Sequence, residues 1–317
     1  MKRIKFLVLA LFVVVSFSLL GVLAGCGNDT EREWIYLITM DFTDNHWQQL
    51  NKGASDVFAS EGLENCKFGW LAPTTNKNTQ QQLSLIESAV NNGAKVILLA
   101  ATDATESKDT VQAAMAKGVE FVYVDSKSDA TGYLGLFSTN NYEAAKDGAT
   151  EFLARLTAAG KTPADGKIGI VCPDTASTTN ERLDGFKDTV EDAGWETELA
   201  MPAQGPGEYK DRAATVAATL VDTKDCIALY GTNEGCTVGV GLAIGDGRTG
   251  ILGAGFDGGP DIDEQISLGN IKFTVGQQPY QMGKLGMELA IQAFKDEISS
   301  TFVREKFTDT GSFIYLG

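Results

Sequence analysis

The sequence predicts an α/β protein of two similar lobes, each built on a parallel sheet. Three observations carry that prediction. Short apolar runs recur without polar alternation, as strands covered on both faces do. Amphipathic helical segments separate them. The march passes through about five strands and then about five more, in a chain of 317 residues, longer than one core usually serves.

The elements follow in order. Residues 34–40 form an apolar strand. A helix over 47–62 puts Leu50, Ala54, Val57 and Phe58 on one face and ends at Gly62. Residues 66–71 are a strand, and 80–91 a helix with Leu83, Ile86 and Val90 aligned before Gly93. A fully apolar strand covers 96–100, a helix 108–117 stops at Gly118, and strands follow at 121–124 and 133–137. The second half repeats the pattern, with helices over 142–159, 180–193, 209–221, 234–244 and 261–268. Its strands lie at 167–171, 196–201, 226–230, 251–256 and 271–275. A long helix over 280–296 precedes a mixed tail. No short repeat, low-complexity tract or long linker interrupts the chain.

The leader has its own pattern. Residues 1–5 carry three basic side chains and no acid, residues 6–23 are almost wholly apolar, and Leu23-Ala24-Gly25-Cys26 follows. Basic, apolar and small-residue regions in that order are a signal peptide. The terminal cysteine resembles the lipobox of bacterial lipoproteins, which implies cleavage before Cys26 and a lipid on it. The alternative is an uncleaved membrane anchor, since the apolar run is nearly long enough to span. On either reading the chain after about residue 30 faces outward.

Removing residues 1–25 takes Lys2, Arg3 and Lys5 and leaves 23 basic against 42 acidic residues, a formal charge of −19. Such a surface repels phosphate backbones, which argues against nucleic-acid binding, and it repels anionic lipid, which leaves membrane attachment to the lipid anchor. A single histidine, His46, excludes a multi-histidine metal site and weakens any histidine-based triad. Cys66, Cys172, Cys226 and Cys236 fit no zinc spacing. An oxidising compartment would permit a Cys226–Cys236 disulfide, although sequence alone fixes no pairing. No cofactor and no metal are expected.

In open α/β sheets ligands bind beyond the carboxyl ends of the strands. The residues there are Asp41, Asp44, His46 and Trp47 after the first strand and Asp125 after the fourth. In the second half they are Asn180 and Arg182, then Asn233 and Glu234, then Asp257, then Gln277 and Gln278. Carboxylates and amides form paired hydrogen bonds with neighbouring hydroxyls, and an aromatic such as Trp47 covers an apolar C–H face. That set suits a neutral polyhydroxylated ligand. Each residue also has a bland reading. Asp44 and Asn233 stand where helix N-caps stand, Asp125 and Asp257 could cap the segments after them, and Trp47 could be core.

Several blocks carry a family resemblance. They are Gly255-Phe256-Asp257-Gly258-Gly259-Pro260-Asp261, then Thr274-Val275-Gly276-Gln277-Gln278-Pro279-Tyr280-Gln281-Met282-Gly283. Asn180-Glu181-Arg182-Leu183-Asp184-Gly185-Phe186, Val122-Tyr123-Val124-Asp125 and Thr102-Asp103 support them. Together they resemble the ribose-binding protein group of the type I periplasmic binding proteins, over essentially all of residues 34–317. The resemblance implies two Rossmann-like lobes joined by a three-strand hinge, with a ligand held between them and delivered to an ABC transporter permease. It implies a monomer with lobes of 34–139 plus 278–306 and of 140–277 plus 307–317, after a signal of 1–25 and a linker of 26–33. Family ligand positions fall on Asp44, His46, Trp47, Asp125, Ser126, Asn180, Asn233, Asp257 and Gln277. His46 replaces a phenylalanine of the ribose pattern, Ser126 and Asn180 each replace an arginine, and Trp47 is a larger stacker. The class implied is therefore a small sugar or polyol rather than ribose itself.

Rival readings fare worse. Gly253, Gly255 and Gly258 match GxGxxG, but the first two lie inside a strand, whereas a dinucleotide loop lies between a strand and its helix. Gly160-Lys161-Thr162 resembles the end of a P-loop but has Arg155 where the first glycine belongs. Enzymatic activity is thus not expected. Sugar-responsive repressors share the fold but carry a DNA-binding segment where this chain has its signal. A receptor for sugars or autoinducer-2, feeding a chemoreceptor or histidine kinase, is the alternative that sequence leaves open.

Overall fold

The computed structural model describes residues 33–75, 78–173, 177–203 and 209–317, so Cys26 and the leader lie outside the described residues. The first lobe runs β1 (Trp34–Ile38), α1 (Asn45–Glu61), β2 (Lys67–Leu71), α2 (Thr79–Asn91), β3 (Ala94–Leu99), α3 (Lys108–Ala116), β4 (Glu120–Val124) and β5 (Gly135–Ser138). The second runs α4 (Asn141–Ala158), β6 (Lys167–Val171), α5 (Ser177–Asp192), β7 (Thr197–Ala200), α6 (Tyr209–Lys224), β8 (Cys226–Gly231), α7 (Glu234–Gly245), β9 (Leu252–Phe256), α8 (Pro260–Ser267) and β10 (Thr274–Gln277). Then come α9 (Pro279–Phe294), β11 (Lys306–Asp309) and β12 (Ser312–Tyr315).

Each lobe holds one six-stranded sheet, ordered β11-β5-β4-β3-β1-β2 in the first and β12-β10-β9-β8-β6-β7 in the second. The first is parallel throughout, and the second is parallel except for β12, which runs antiparallel to β10. Both sheets reverse their strand order beside their first strand, at β1/β3 and at β6/β8, which opens a crevice at the carboxyl ends there. Apolar clusters cover both faces. Leu37, Val96, Val122 and Met287 pack on the α1/α9 side of the first sheet, and Ile97, Phe121, Ile86 and Val111 on the α2/α3 side. The second sheet is covered by Phe152, Phe186 and Tyr230 on one face and by Ala217, Leu229 and Val240 on the other.

The chain passes between the sheets after Ser138, after Gln277 and after Asp309. The first and third passages are laced together, because Asn140 N donates to Asp309 Oδ1 (3.1 Å) and Thr310 N to the Ser138 carbonyl (2.9 Å). β11 pairs with β5, so residues 307–309, grouped with the second lobe in the sequence reading, belong to the first sheet. The tail read as mixed thus supplies one edge strand to each sheet. Cys66, Cys172, Cys226 and Cys236 are buried, and the Cys226–Cys236 disulfide that an oxidising compartment would permit is not formed. Among the described residues no helix is long and apolar enough to cross a membrane.

Candidate functional site

The two sheets turn their carboxyl ends toward one another, and the residues following β4 and β9 stand at equivalent places. Both positions are aspartates in left-handed backbone, Asp125 with φ 64° and Asp257 with φ 76°. Their surroundings repeat. Asp125 N donates to the carbonyl of Phe137 on β5 at 2.9 Å, and Asp257 N to that of Val275 on β10 at 2.8 Å. The hydroxyls of Ser138 and Thr274 donate to the carbonyls of Asp125 and Asp257 in turn. A non-glycine residue in this backbone region carries strain that concentrates at functional sites, and aspartate is among the few that tolerate it.

The loop from β1 to α1 brings the other first-lobe groups. Asp41 Oδ1 accepts from Thr43 N (2.7 Å) and Asp44 N (2.8 Å), which folds the loop back on itself, while Oδ2 is buried without a partner. Asp44 caps α1, its Oδ1 accepting from His46 N at 2.8 Å. His46 Nε2 lies 3.1 Å from Asp125 Oδ1, off the direction of a well-aligned hydrogen bond. Burial works against an imidazolium here, but the Asp125, Asp257 and Asp44 carboxylates outweigh it and hold the His46 pKa above its ordinary value. Asp257 belongs to the other lobe, so the two sets of groups meet.

The second lobe orders Asp257 closely. Its Oδ1 accepts from Gln277 Nε2 (2.6 Å) and its Oδ2 from the backbone N–H of Glu234 (2.8 Å). Arg182 Nη1 lies 3.7 Å from Oδ2. Arg182 is itself buried, stacked 4.0 Å from the Phe256 ring centroid, with Nε donating to Asn141 Oδ1 (2.8 Å) and Nη1 to the Thr232 carbonyl (3.2 Å). Burial, reinforced by Asp44 and Asp257, pushes the Glu234 carboxyl up to about 9. The Asp44 pKa is also raised, by burial that the neighbouring His46 partly offsets.

Of the nine residues expected at the site, the structure gathers Asp44, His46, Asp125, Asp257 and Gln277 around the facing strand ends. The other four have different immediate partners. Trp47 is buried in the first-lobe core and meets the His46 ring edge-on at 4.6 Å. Ser126 is buried with its hydroxyl donating to the Ala101 carbonyl at 2.9 Å. Asn233 caps α7, accepting from Cys236 N at 2.9 Å. Asn180 sits half-buried on α5. Two residues that the sequence reading placed after strand ends but left out of the expected ligand set join the site, Arg182 and Glu234. Both had a positional signal: Glu234 lies three residues past the end of β8, and Arg182 lies on α5, which follows β6.

Among the described residues no cluster of metal-ligating side chains occurs. The glycines of the GxGxxG match are used for packing. A Cβ on Gly255 would stand 2.1 Å from Thr237 Oγ1, and one on Gly253 would stand 2.4 Å from the Asn270 carbonyl oxygen.

Two parallel-sheet lobes with their carboxyl ends opposed, and polar groups from six strand ends gathered between them, define a protein that holds a small solute in its cleft. The chain belongs to the periplasmic binding protein domain family, whose profile matches residues 35–298. It is similar to the D-allose-binding periplasmic protein of Escherichia coli K12, at 25% identity over 292 residues, 88% of this chain and 90% of the relative. The ribose import binding protein of the same organism is 21% identical over 301 residues, 94% of each chain. A carbohydrate transporter solute binding protein from Agrobacterium radiobacter, solved in complex with D-arabinose, has the same fold. It matches with a TM-score of 0.77 and 23% identity, covering 90% of this chain and 94% of that one. The chain is accordingly a substrate-binding protein, not an enzyme.

Proposed function

We propose that this chain is an extracytoplasmic binding protein, anchored through a lipid on Cys26, that closes its two lobes on a small neutral sugar or polyol and presents it to an ABC transporter permease. The observation that carries the reading is the pair Asp125 and Asp257. They are equivalent left-handed carboxylates, one from each lobe, with His46, Asp44 and Gln277 beside them. Ionised carboxylates accept from vicinal hydroxyls, Gln277 Oε1 is a buried acceptor still without a partner, and imidazole N–H groups donate. Such groups read hydroxyl orientation without requiring charge on the ligand. The named ligands of the relatives agree in class, being allose, ribose and apiose, with arabinose and fucose bound in structures of the same fold. Extracytoplasmic placement agrees with the periplasmic relatives and with the leader.

A thermal-shift screen over pentoses, hexoses, inositols and nucleosides tests the ligand class. A ligand at 100 times its Kd adds about 2.7 kcal/mol of stability, a shift of several degrees. Failure of every neutral sugar and polyol to raise the melting temperature would overturn the class. Incorporation of labelled fatty acid by the wild type and its loss in Cys26→Ser tests the anchor.

A further inference from the structure

Asp41 is 4% exposed, and its two carboxylate oxygens have different surroundings. Oδ1 is taken up inside the β1–α1 loop, accepting from Thr43 N (2.7 Å), Thr43 Oγ1 (3.1 Å) and Asp44 N (2.8 Å). Oδ2 is buried and receives no donor. Thr102, three residues past the end of β3, repeats the pattern with a buried hydroxyl that has no partner. One side chain makes these two segments neighbours. Gln82 of α2 is fully buried where the strand order reverses between β1 and β3. Its Nε2 donates to the carbonyls of Thr39 (3.1 Å) and Ala100 (2.9 Å), and its Oε1 accepts from Thr102 N (2.9 Å). Both of its N–H groups are thereby used, so Gln82 has none left for Asp41. The Thr39 hydroxyl is used too, donating to the Asp41 carbonyl at 3.0 Å. On the other side of β3, Ala101 is bonded to Ser126 through its N–H (3.2 Å) and its carbonyl (2.9 Å), and Ser126 follows Asp125. A row of strand ends therefore runs from Asp41 through Thr102 to Asp125.

We propose that Asp41 Oδ2 and the Thr102 hydroxyl form a further ligand subsite at the β1/β3 switch point, which takes a hydroxyl of the bound sugar beyond those that Asp125 and Asp257 read. The subsite rests on the sugar-binding reading above and adds one recognised hydroxyl to it. Buried polar atoms nearly always have a partner, and a buried carboxylate oxygen left without a donor is costly. Open α/β sheets hold their ligands at the crevice where the strand order reverses, which is where both atoms lie. An ionised carboxylate only accepts, so the group it takes is an O–H and not a carbonyl, carboxylate or phosphate oxygen. The Thr102 hydroxyl both donates and accepts, so it suits the same sugar hydroxyl or its neighbour. Asp41 thus divides its work. Oδ1 folds the loop that presents Asp44 and His46, and Oδ2 is left for the ligand.

Asp41→Asn separates the two oxygens, because its amide keeps the acceptor that folds the loop and replaces Oδ2 with an N–H donor. Calorimetry of wild type and variant is run with aldopentoses, aldohexoses and inositols, each alongside its monodeoxy analogues. The variant should bind the parent sugar about 10- to 150-fold more weakly. One deoxy position should cost the wild type a similar factor and cost Asp41→Asn little, since the two changes remove the same hydrogen bond. A loop-shaping role alone would weaken every analogue by one common factor, and that result, or equal affinity in variant and wild type, would overturn the subsite. Thr102→Val deletes the second hydroxyl at nearly constant volume. Should Asp41→Asn fail to fold, Thr102→Val carries the same test, with an expected loss of about 2- to 10-fold confined to one deoxy position. If no sugar or polyol binds the wild type, the ligand class falls and Asp41 is read from urea unfolding of the ligand-free protein. There a carboxylate oxygen kept for an incoming donor makes Asp41→Asn more stable than wild type, which upholds the subsite for a ligand of another class. Equal stability would show that solvent already satisfies the oxygen and would overturn it.

Discussion

Asp125 and Asp257 keep a backbone conformation that costs a non-glycine residue about 1–2 kcal/mol, and each keeps it at the mouth of the cleft. If they serve as acceptors for sugar hydroxyls, each contributes about 1.5–3 kcal/mol through charge-assisted hydrogen bonds. Alanine at either position should then weaken binding roughly 10- to 150-fold in calorimetry, at about 1.4 kcal/mol per tenfold. Glycine separates binding from folding, because it fits the left-handed backbone. Asp125→Gly should lose affinity as alanine does while its stability stays within about 1 kcal/mol of wild type. Unchanged affinity in these variants would mean that the carboxylates only shape their loops. His46 gives a pH signature. Its folded pKa is raised by the three carboxylates around it against the opposing effect of burial. The stability it contributes is complete below its ordinary value of about 6.5 and is lost as pH rises through the higher folded value. In urea titrations at a series of pH values, His46→Gln should therefore lack part of the wild-type decline across that window. These residues were legible because each directly follows a strand on the side where open sheets bind ligands. Arg182 was placed by the same rule, but its role was not legible, because it comes from stacking on Phe256 and reaching Asn141 on another helix. The function of Trp47 was ambiguous for a different reason. A large aromatic one position past His46 reads equally well as a stacker or as core, and only packing against Met40, Leu50 and Met282 places it in the core cluster.

Helices α1 and α9 touch backbone to backbone. A Cβ on Gly53 would lie 2.0 Å from the Tyr280 carbonyl oxygen, and one on Gly283 would lie 1.9 Å from that of Leu50. The contact seats α1, and with it Asp44 and His46, against the sheet. Gly283→Ala must push the two helices apart, which should cost about 1–3 kcal/mol in chemical denaturation. A variant as stable as wild type would show that the helices are free to shift. The apolar face of α1 was readable from its period, but the two glycines were not, since nothing in one helix announces how near another will come. The two lobes and nearly every strand before residue 270 were legible from buried apolar runs. The strand expected over 271–275 begins at Thr274 instead, because Ile271 N turns back to the Gln265 carbonyl although Ile271 and Phe273 are buried. β11 and β12 left no comparable trace. Each has four residues, and Phe307, Phe313 and Ile314 are largely exposed, so no burial pattern marks them.

At the scale of the whole molecule, the two sheets are joined by only three passages of chain. Two of them are bonded together through Asn140, Asp309, Thr310 and Ser138. A joint of that kind bends without breaking either core, which is what capture between lobes requires. Sugar should lower the radius of gyration in solution scattering at neutral pH. A tight ligand that leaves the curve unchanged there would contradict hinge closure. The central claim, capture of a neutral polyhydroxylated solute by the paired aspartates, is tested most directly by isothermal titration calorimetry. Wild type, Asp125→Ala and Asp257→Ala are each titrated with aldopentoses, aldohexoses, inositols and nucleosides. The account predicts saturable binding of at least one of these, one molecule per chain, weakened at least tenfold in both variants. No saturable binding across the panel, or equal affinity in the wild type and both variants, would contradict it.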